Sequence, residues 1–138
     1  MKTLLVLEDE PSLMILLRRT LKEYNLLEAA TAEEALHLFA KHDRHVDLLL
    51  TDVTLPTSSG LRVANSLRSE IRNLPVILTS GYPVNVWSDR DRVDLEQLGS
   101  NSVAIVQKPF QTQALSKLVH DLLGTPMSEG ARALGENP

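Results

Sequence analysis

The sequence contains no cysteine, which removes disulfides, thiolate metal sites and cysteine nucleophiles at once and fits a reducing compartment. It has no basic excess either. The formal net charge is −4, whereas nucleic-acid phosphates are held by clustered lysine and arginine, so no direct nucleic-acid contact is expected. No run approaches the roughly 20 apolar residues needed to span a bilayer. The opening stretch Leu4-Leu5-Val6-Leu7 is too short for a signal peptide and is followed at once by acid. A soluble, cytoplasmic protein with no membrane contact is therefore expected. Internal repeats are absent too, and 138 residues are one domain's worth, enough to bury a core.

Short apolar runs alternate with amphipathic stretches. Leu4 to Leu7 reads as a first strand, and Pro11 sits where a helix can begin. Leu13, Leu17 and Leu21 then recur at helical spacing. Leu26 to Ala29 reads as a short second strand. Thr31-Ala32-Glu33-Glu34 has the form of a capping box ahead of Ala35, Leu36 and Phe39. Val46 to Thr51 is nearly continuous in apolar residues, as a strand covered on both faces should be. After the turn-rich Pro56-Thr57-Ser58-Ser59-Gly60, a helix carries Val63, Ala64, Leu67 and Ile71. Pro75 to Thr79 is expected as the fourth strand, with its proline at the start, and Val103 to Gln107 as the fifth. Ser88-Asp89-Arg90-Asp91 could cap a helix of poor apolar content, Val93, Leu95 and Leu98. The stripe Leu115, Leu118, Val119, Leu122, Leu123 ends at Gly124. Five strand–helix units predict an α/β fold, a doubly wound (βα)5 parallel five-stranded sheet. The domain is expected to span 1–123, with 124–138 a disordered tail or the start of a linker.

Three of these strands end in acid, acid and base: Glu8-Asp9-Glu10, Asp52 and Lys108. Ligands bind at the carboxyl edge of an open parallel sheet. Two like charges about 4 Å apart repel by roughly 4 kcal/mol at an effective dielectric near 20, so Glu8, Asp9 and Asp52 need a cation among them. Mg²⁺ takes one or two carboxylates, keeps its waters and coordinates phosphate oxygens. Asp52 can then act as a carboxylate nucleophile, with Lys108 as a point charge and Thr79 as a hydroxyl donor. Each residue alone has a bland explanation: a helix cap, a dipole partner, a turn, a solvated lysine. Their joint occurrence at the ends of strands one, three, four and five points to one phosphoryl-accepting site.

The chain resembles the response-regulator receiver domain over residues 3 to about 123. The matching pieces are Leu4 to Pro11, Asp52-Val53-Thr54-Leu55-Pro56 with Gly60, Val76 to Pro83, and Gln107-Lys108-Pro109-Phe110. The resemblance implies a flavodoxin-like strand order of 2-1-3-4-5. It implies that Asp52 takes a phosphoryl group from the phosphohistidine of a sensor histidine kinase or phosphotransfer protein. Mg²⁺ (or Mn²⁺) would be held by Asp9, Asp52 and the Thr54 carbonyl, with Glu8 acting through water. Thr79 would swing toward the phosphoryl group, Lys108 would pair with it, and the bond to Pro109 would be cis. Partners or a second copy would meet the face built from the fourth helix, fifth strand and fifth helix.

Two features depart from that pattern. The aromatic residue expected three places before the lysine, which normally couples to the Thr79 position, is Ile105. The segment between Thr79 and Lys108 looks several residues long, with the excess around Val84 to Arg92. Trp87, the single tryptophan, lies in this excess. It is read first as a residue capping the core beneath a long loop and second as an interface anchor. His42 and His45 lack a third ligand, and His37 and His120 are expected to be solvated. A phosphorylation-independent receiver-like scaffold is the alternative function. An aspartate-nucleophile phosphatase would need a second Asp where Thr54 stands, and a flavin site would be repelled by Glu8-Asp9-Glu10.

Overall fold

The computed structural model describes residues 1–124. In chain order it contains β1 (Thr3–Leu7), α1 (Pro11–Thr20), β2 (Asn25–Ala29), α2 (Ala32–Lys41), β3 (Leu48–Asp52), α3 (Gly60–Glu70), β4 (Val76–Ser80), α4 (Asp89–Leu98), β5 (Val103–Gln107) and α5 (Thr112–Leu123). A single 3₁₀ turn, Val84–Val86, precedes α4. All strand pairs are parallel, in the order β2-β1-β3-β4-β5. The expected tail lies outside the described residues apart from Gly124, which caps α5 at φ 71°, a conformation glycine adopts without strain.

The two-residue period of a strand sends alternate side chains to opposite faces. Leu5, Leu7, Leu49, Val76 and Leu78 pack with residues of α2, α3 and α4. Leu4, Val6, Leu48, Leu50 and Ile77 pack with residues of α1 and α5. Each face thus has its own core, and β1, β3 and β4 are buried throughout. Fully burying one such side chain stabilises the fold by about 1.5–3 kcal/mol.

Local chemistry sets the helix starts. Pro11 occupies the first turn of α1, and Ser59 Oγ and Ser88 Oγ accept from Leu61 N and Asp91 N to cap α3 and α4. Thr31 Oγ1 accepts from Glu34 N at 3.1 Å. Glu34 completes the capping box one residue early, accepting from Ala30 N rather than from Thr31 N.

Boundaries shift slightly from expectation. β3 starts at Leu48; just before it Asp47 is tied to Thr3 twice, its backbone N–H donating to Thr3 O at 2.8 Å and its side chain accepting from Thr3 N at 2.7 Å. β4 starts after Pro75 and runs on to Ser80, which pairs in register with Gln107. Trp87 had two readings. It is only 8 % exposed, belongs to the core beneath α3 and α4, and its indole N–H donates to the Tyr82 carbonyl at 3.0 Å. A side chain so enclosed presents no surface to a partner, so the first reading, a residue of the core, fits and the second, an interface anchor, does not. His120 is likewise not simply solvated: its Nε2 lies 3.1 Å from Glu23 Oε2 and its ring packs edge-on to Tyr24.

Candidate functional site

Strand parity assembles the site. Val6, Leu50, Ile77 and Val106 face α1 and α5. Two residues further along each chain, Glu8, Asp52, Thr79 and Lys108 continue that face at the carboxyl edge, just past the helical cover. Asp52 and Thr79 are direct partners across β3 and β4. Lys108 is delivered by β5, and its backbone N–H donates to Ser80 O at 2.8 Å. The Lys108–Pro109 peptide is cis.

The Lys108 ammonium bridges two carboxylates, 2.9 Å from Asp52 Oδ2 and 3.0 Å from Glu8 Oε1. Glu8 Oε2 accepts from Glu10 N at 3.0 Å, so both oxygens of this buried side chain are engaged. Asp52 Oδ1 accepts a long bond, 3.4 Å, from Thr54 N. Glu8, Asp9 and Asp52 each offer an oxygen, and the three oxygens lie within 4.8 Å of one another. Asp9 is exposed, while Glu8 and Asp52 are buried. Three carboxylates against one ammonium leave two negative charges uncompensated, which matches a divalent cation with oxygen ligands.

Titration behaviour follows the same geometry. Burial is the main influence on Glu8 and pushes its pKa up; the Asp52 charge adds to this, and Lys108 and the Glu10 amide oppose it. For Lys108, burial is the largest single influence and lowers the pKa, yet the hydrogen bonds and charges of Asp52 and Glu8 together outweigh it and raise the value. The lysine is therefore firmly charged at neutral pH.

Gly60 supports the end of β3. A Cβ there would overlap the Asp52 carbonyl oxygen and Thr51 Oγ1, so only glycine lets α3 start against the peptide of Asp52. Its N–H donates to Val53 O at 2.9 Å. Thr51, fully buried on the opposite face, donates its hydroxyl to Asp52 O at 3.0 Å. Thr79 Oγ1 reaches Thr51 O only at 3.5 Å, a weak hold on a buried hydroxyl.

The structure thus brings together Glu8, Asp9, Asp52, Thr54, Thr79 and Lys108. It does not bring Ile105 or Trp87 into the site: Ile105 is 42 % exposed on the edge strand, and Trp87 lies in the core on the far face of the sheet. Sequence reasoning missed Thr51 and Ser80. The only signal for Thr51 was a hydroxyl in an otherwise apolar strand buried on both faces.

Comparison with known proteins agrees with this arrangement. The response regulator receiver domain family matches residues 4–120. A chemotaxis protein CheY homolog of Campylobacter jejuni is 30% identical over 135 residues, covering 93% of this chain and 97% of that protein. The two-component response regulator PhoP of Pseudomonas aeruginosa is 34% identical over 122 residues; the match covers 87% of this chain and 51% of PhoP, about half its length. The receiver domain of the hybrid histidine kinase CckA superposes with a TM-score of 0.69 at 28% identity, covering 88% of this chain and 98% of that one. With the 2-1-3-4-5 sheet and the carboxylate–lysine edge in place, the chain belongs to the response regulator receiver domain family.

Proposed function

We propose that the protein is a phosphoacceptor of a two-component or phosphorelay system, and that Asp52 receives the phosphoryl group from a phosphohistidine of a sensor kinase or phosphotransfer protein. The observation that carries this reading is the Asp52 carboxylate, buried within the acidic cluster it forms with Glu8 and Asp9 and ion-paired at 2.9 Å to a charged lysine. In the transfer an Asp52 Oδ attacks phosphorus. The P–O bond forms as the P–N bond breaks, and the imidazole nitrogen keeps the electron pair.

A bound Mg²⁺ (or Mn²⁺) would neutralise charge shared by the carboxylate and the phosphoryl oxygens. Asp9, Asp52 and the Thr54 carbonyl are its proposed direct ligands, and Glu8 acts through water. The reaction then depends on positioning and charge. Lys108 already sits against Asp52 and can follow the charge onto a phosphoryl oxygen. Thr79, weakly held by Thr51 O, can turn at little cost to donate to another. The signal leaves through protein contacts, on the face formed by α4, β5 and α5, where Val93 and Ile105 are exposed.

Intact mass spectrometry after incubation with Mg²⁺ and a small acyl phosphodonor tests the reading. One phosphoryl adduct is expected on the wild type, abolished by chelator and absent from Asp52→Asn. Failure to form it under conditions that label another receiver would favour a phosphorylation-independent scaffold.

A further inference from the structure

Thr79 and Ser80 are neighbours at the end of β4, and strand parity sends them to opposite faces. Thr79 faces the Asp52 site. Ser80, 2 % exposed, faces the core shared with α3 and α4 and grips the turn that follows. Its hydroxyl donates to Tyr82 O at 2.9 Å and accepts from Tyr82 N at 3.1 Å. The same Tyr82 carbonyl accepts from the Trp87 indole N–H at 3.0 Å. Trp87 N closes the 3₁₀ turn by donating to Val84 O at 3.0 Å. The next residue, Ser88, is the N-cap of α4. A continuous set of hydrogen bonds therefore runs from Ser80, next to Thr79 at the end of β4, to the start of α4.

At position 105 there is no ring to bury or expose, and Ile105 is already partly in solvent on the edge strand. The helix α4 is also weakly anchored by apolar packing: Leu98 is its only buried residue, and Val93 is 61 % exposed. The bonds from Asn65 and Arg68 reach α4 only at Asp94 and Leu98, so a small displacement of its first turn, which has no buried residue, meets little resistance.

We propose that the Ser80–Tyr82–Trp87 clasp transmits the state of Asp52 to α4, with Trp87 as its positioning residue. This rests on the phosphoacceptor reading of Asp52. When Thr79 turns toward the phosphoryl group it draws the end of β4 with it. Ser80 shifts on the far face, and the Tyr82 carbonyl moves relative to the indole. Trp87 carries that shift to Ser88 and the first turn of α4. The clasp replaces the coupling that an aromatic residue at 105 would provide.

Because Trp87 is the only tryptophan, its fluorescence reports the clasp directly. Emission and intact mass are followed together in Mg²⁺ while an acyl phosphodonor is added to the wild type, Ser80→Ala and Thr79→Ala. In the wild type the emission change should track the adduct. Ser80→Ala should form the adduct but lose most of the emission change, and Thr79→Ala, compared at equal adduct, should lose it too. Adduct formation in the wild type with no change at Trp87 would overturn the clasp and leave the phosphoacceptor reading intact. So would a full-size change in either variant. Absence of the adduct from the wild type would overturn both.

Discussion

Replacing Gly60 with alanine sets two effects of opposite sign against each other. Alanine is favoured over glycine by up to about 1 kcal/mol in a helix interior, and less at Gly60, the first residue of α3. Against this, the added Cβ would overlap the Asp52 carbonyl oxygen and Thr51 Oγ1 and lie 3.1 Å from the Asp52 carbonyl carbon. The first of these atoms is backbone in a central strand and cannot rotate away. Overpacking of this kind costs about 1–3 kcal/mol, so the steric effect wins and a net loss of roughly 1–2 kcal/mol is expected. The melting temperature should fall by roughly 4 °C per kcal/mol in a domain of this size. Relief must come from a shift of α3 or of the Asp52 peptide, and misplacing a reacting group by about 1 Å can cost as much as ~100-fold in rate. Thermal denaturation followed by circular dichroism measures the first effect, and the rate of adduct formation by intact mass the second. A Gly60→Ala protein that melts no lower than the wild type and accepts phosphoryl at the same rate would refute the argument that this contact positions Asp52.

Lys108→Met leaves buried Glu8 and Asp52 facing each other with no cation between them. Denaturant unfolding without metal should show a loss toward the low end of the ~3–5 kcal/mol typical of a broken buried pair, because the lysine is 20% exposed, and Mg²⁺ should recover part of it. In the wild type, Mg²⁺ at about 100 times its dissociation constant should add about 2.7 kcal/mol of stability, visible as a thermal shift that Asp9→Asn largely abolishes. Arg18 holds the Glu28 carboxyl below its ordinary value of 4.5 through hydrogen bonds of 2.6 and 2.8 Å. A lowered folded-state pKa contributes stability that is fully present above 4.5 and is lost as pH falls through the folded-state value. The advantage of the wild type over Glu28→Gln should therefore vanish in acid and be constant from pH 6 to 8. An advantage that grows on acidification would contradict the assignment.

The fold was legible because each strand is a short apolar run and each helix carries a stripe, both set by burial. The candidate site was legible for a related reason. Residues ending successive parallel strands share one edge, so Glu8, Asp52, Thr79 and Lys108 could be placed together without knowing any distance. What escaped were contacts between side chain and backbone. Nothing in the spacing shows that Glu8, 100 residues from Lys108, ends with both oxygens engaged. Nor does it show that Asp47 ties β3 to Thr3, or that Gly60 abuts the Asp52 carbonyl. Trp87 had two readings for a physical reason: an aromatic ring in a long polar loop can cap the core or face a partner, and here its burial decides for the core. The segment around α4 was hard to read because polar bonds hold it in place of an apolar stripe. Asn65 donates to Asp94 O, and Arg68 donates to the carbonyls of Leu74 and Leu98.

The most direct test of phosphoryl transfer to Asp52 is chemical trapping of the acyl phosphate. Borohydride reduces an aspartyl phosphate to homoserine, and peptide mapping by tandem mass spectrometry then locates the modified residue. Homoserine at position 52 alone, formed only when Mg²⁺ and phosphodonor are both present, is the predicted result. Homoserine at Asp9 or elsewhere, or none despite a phosphoryl adduct in the intact mass, would contradict the account.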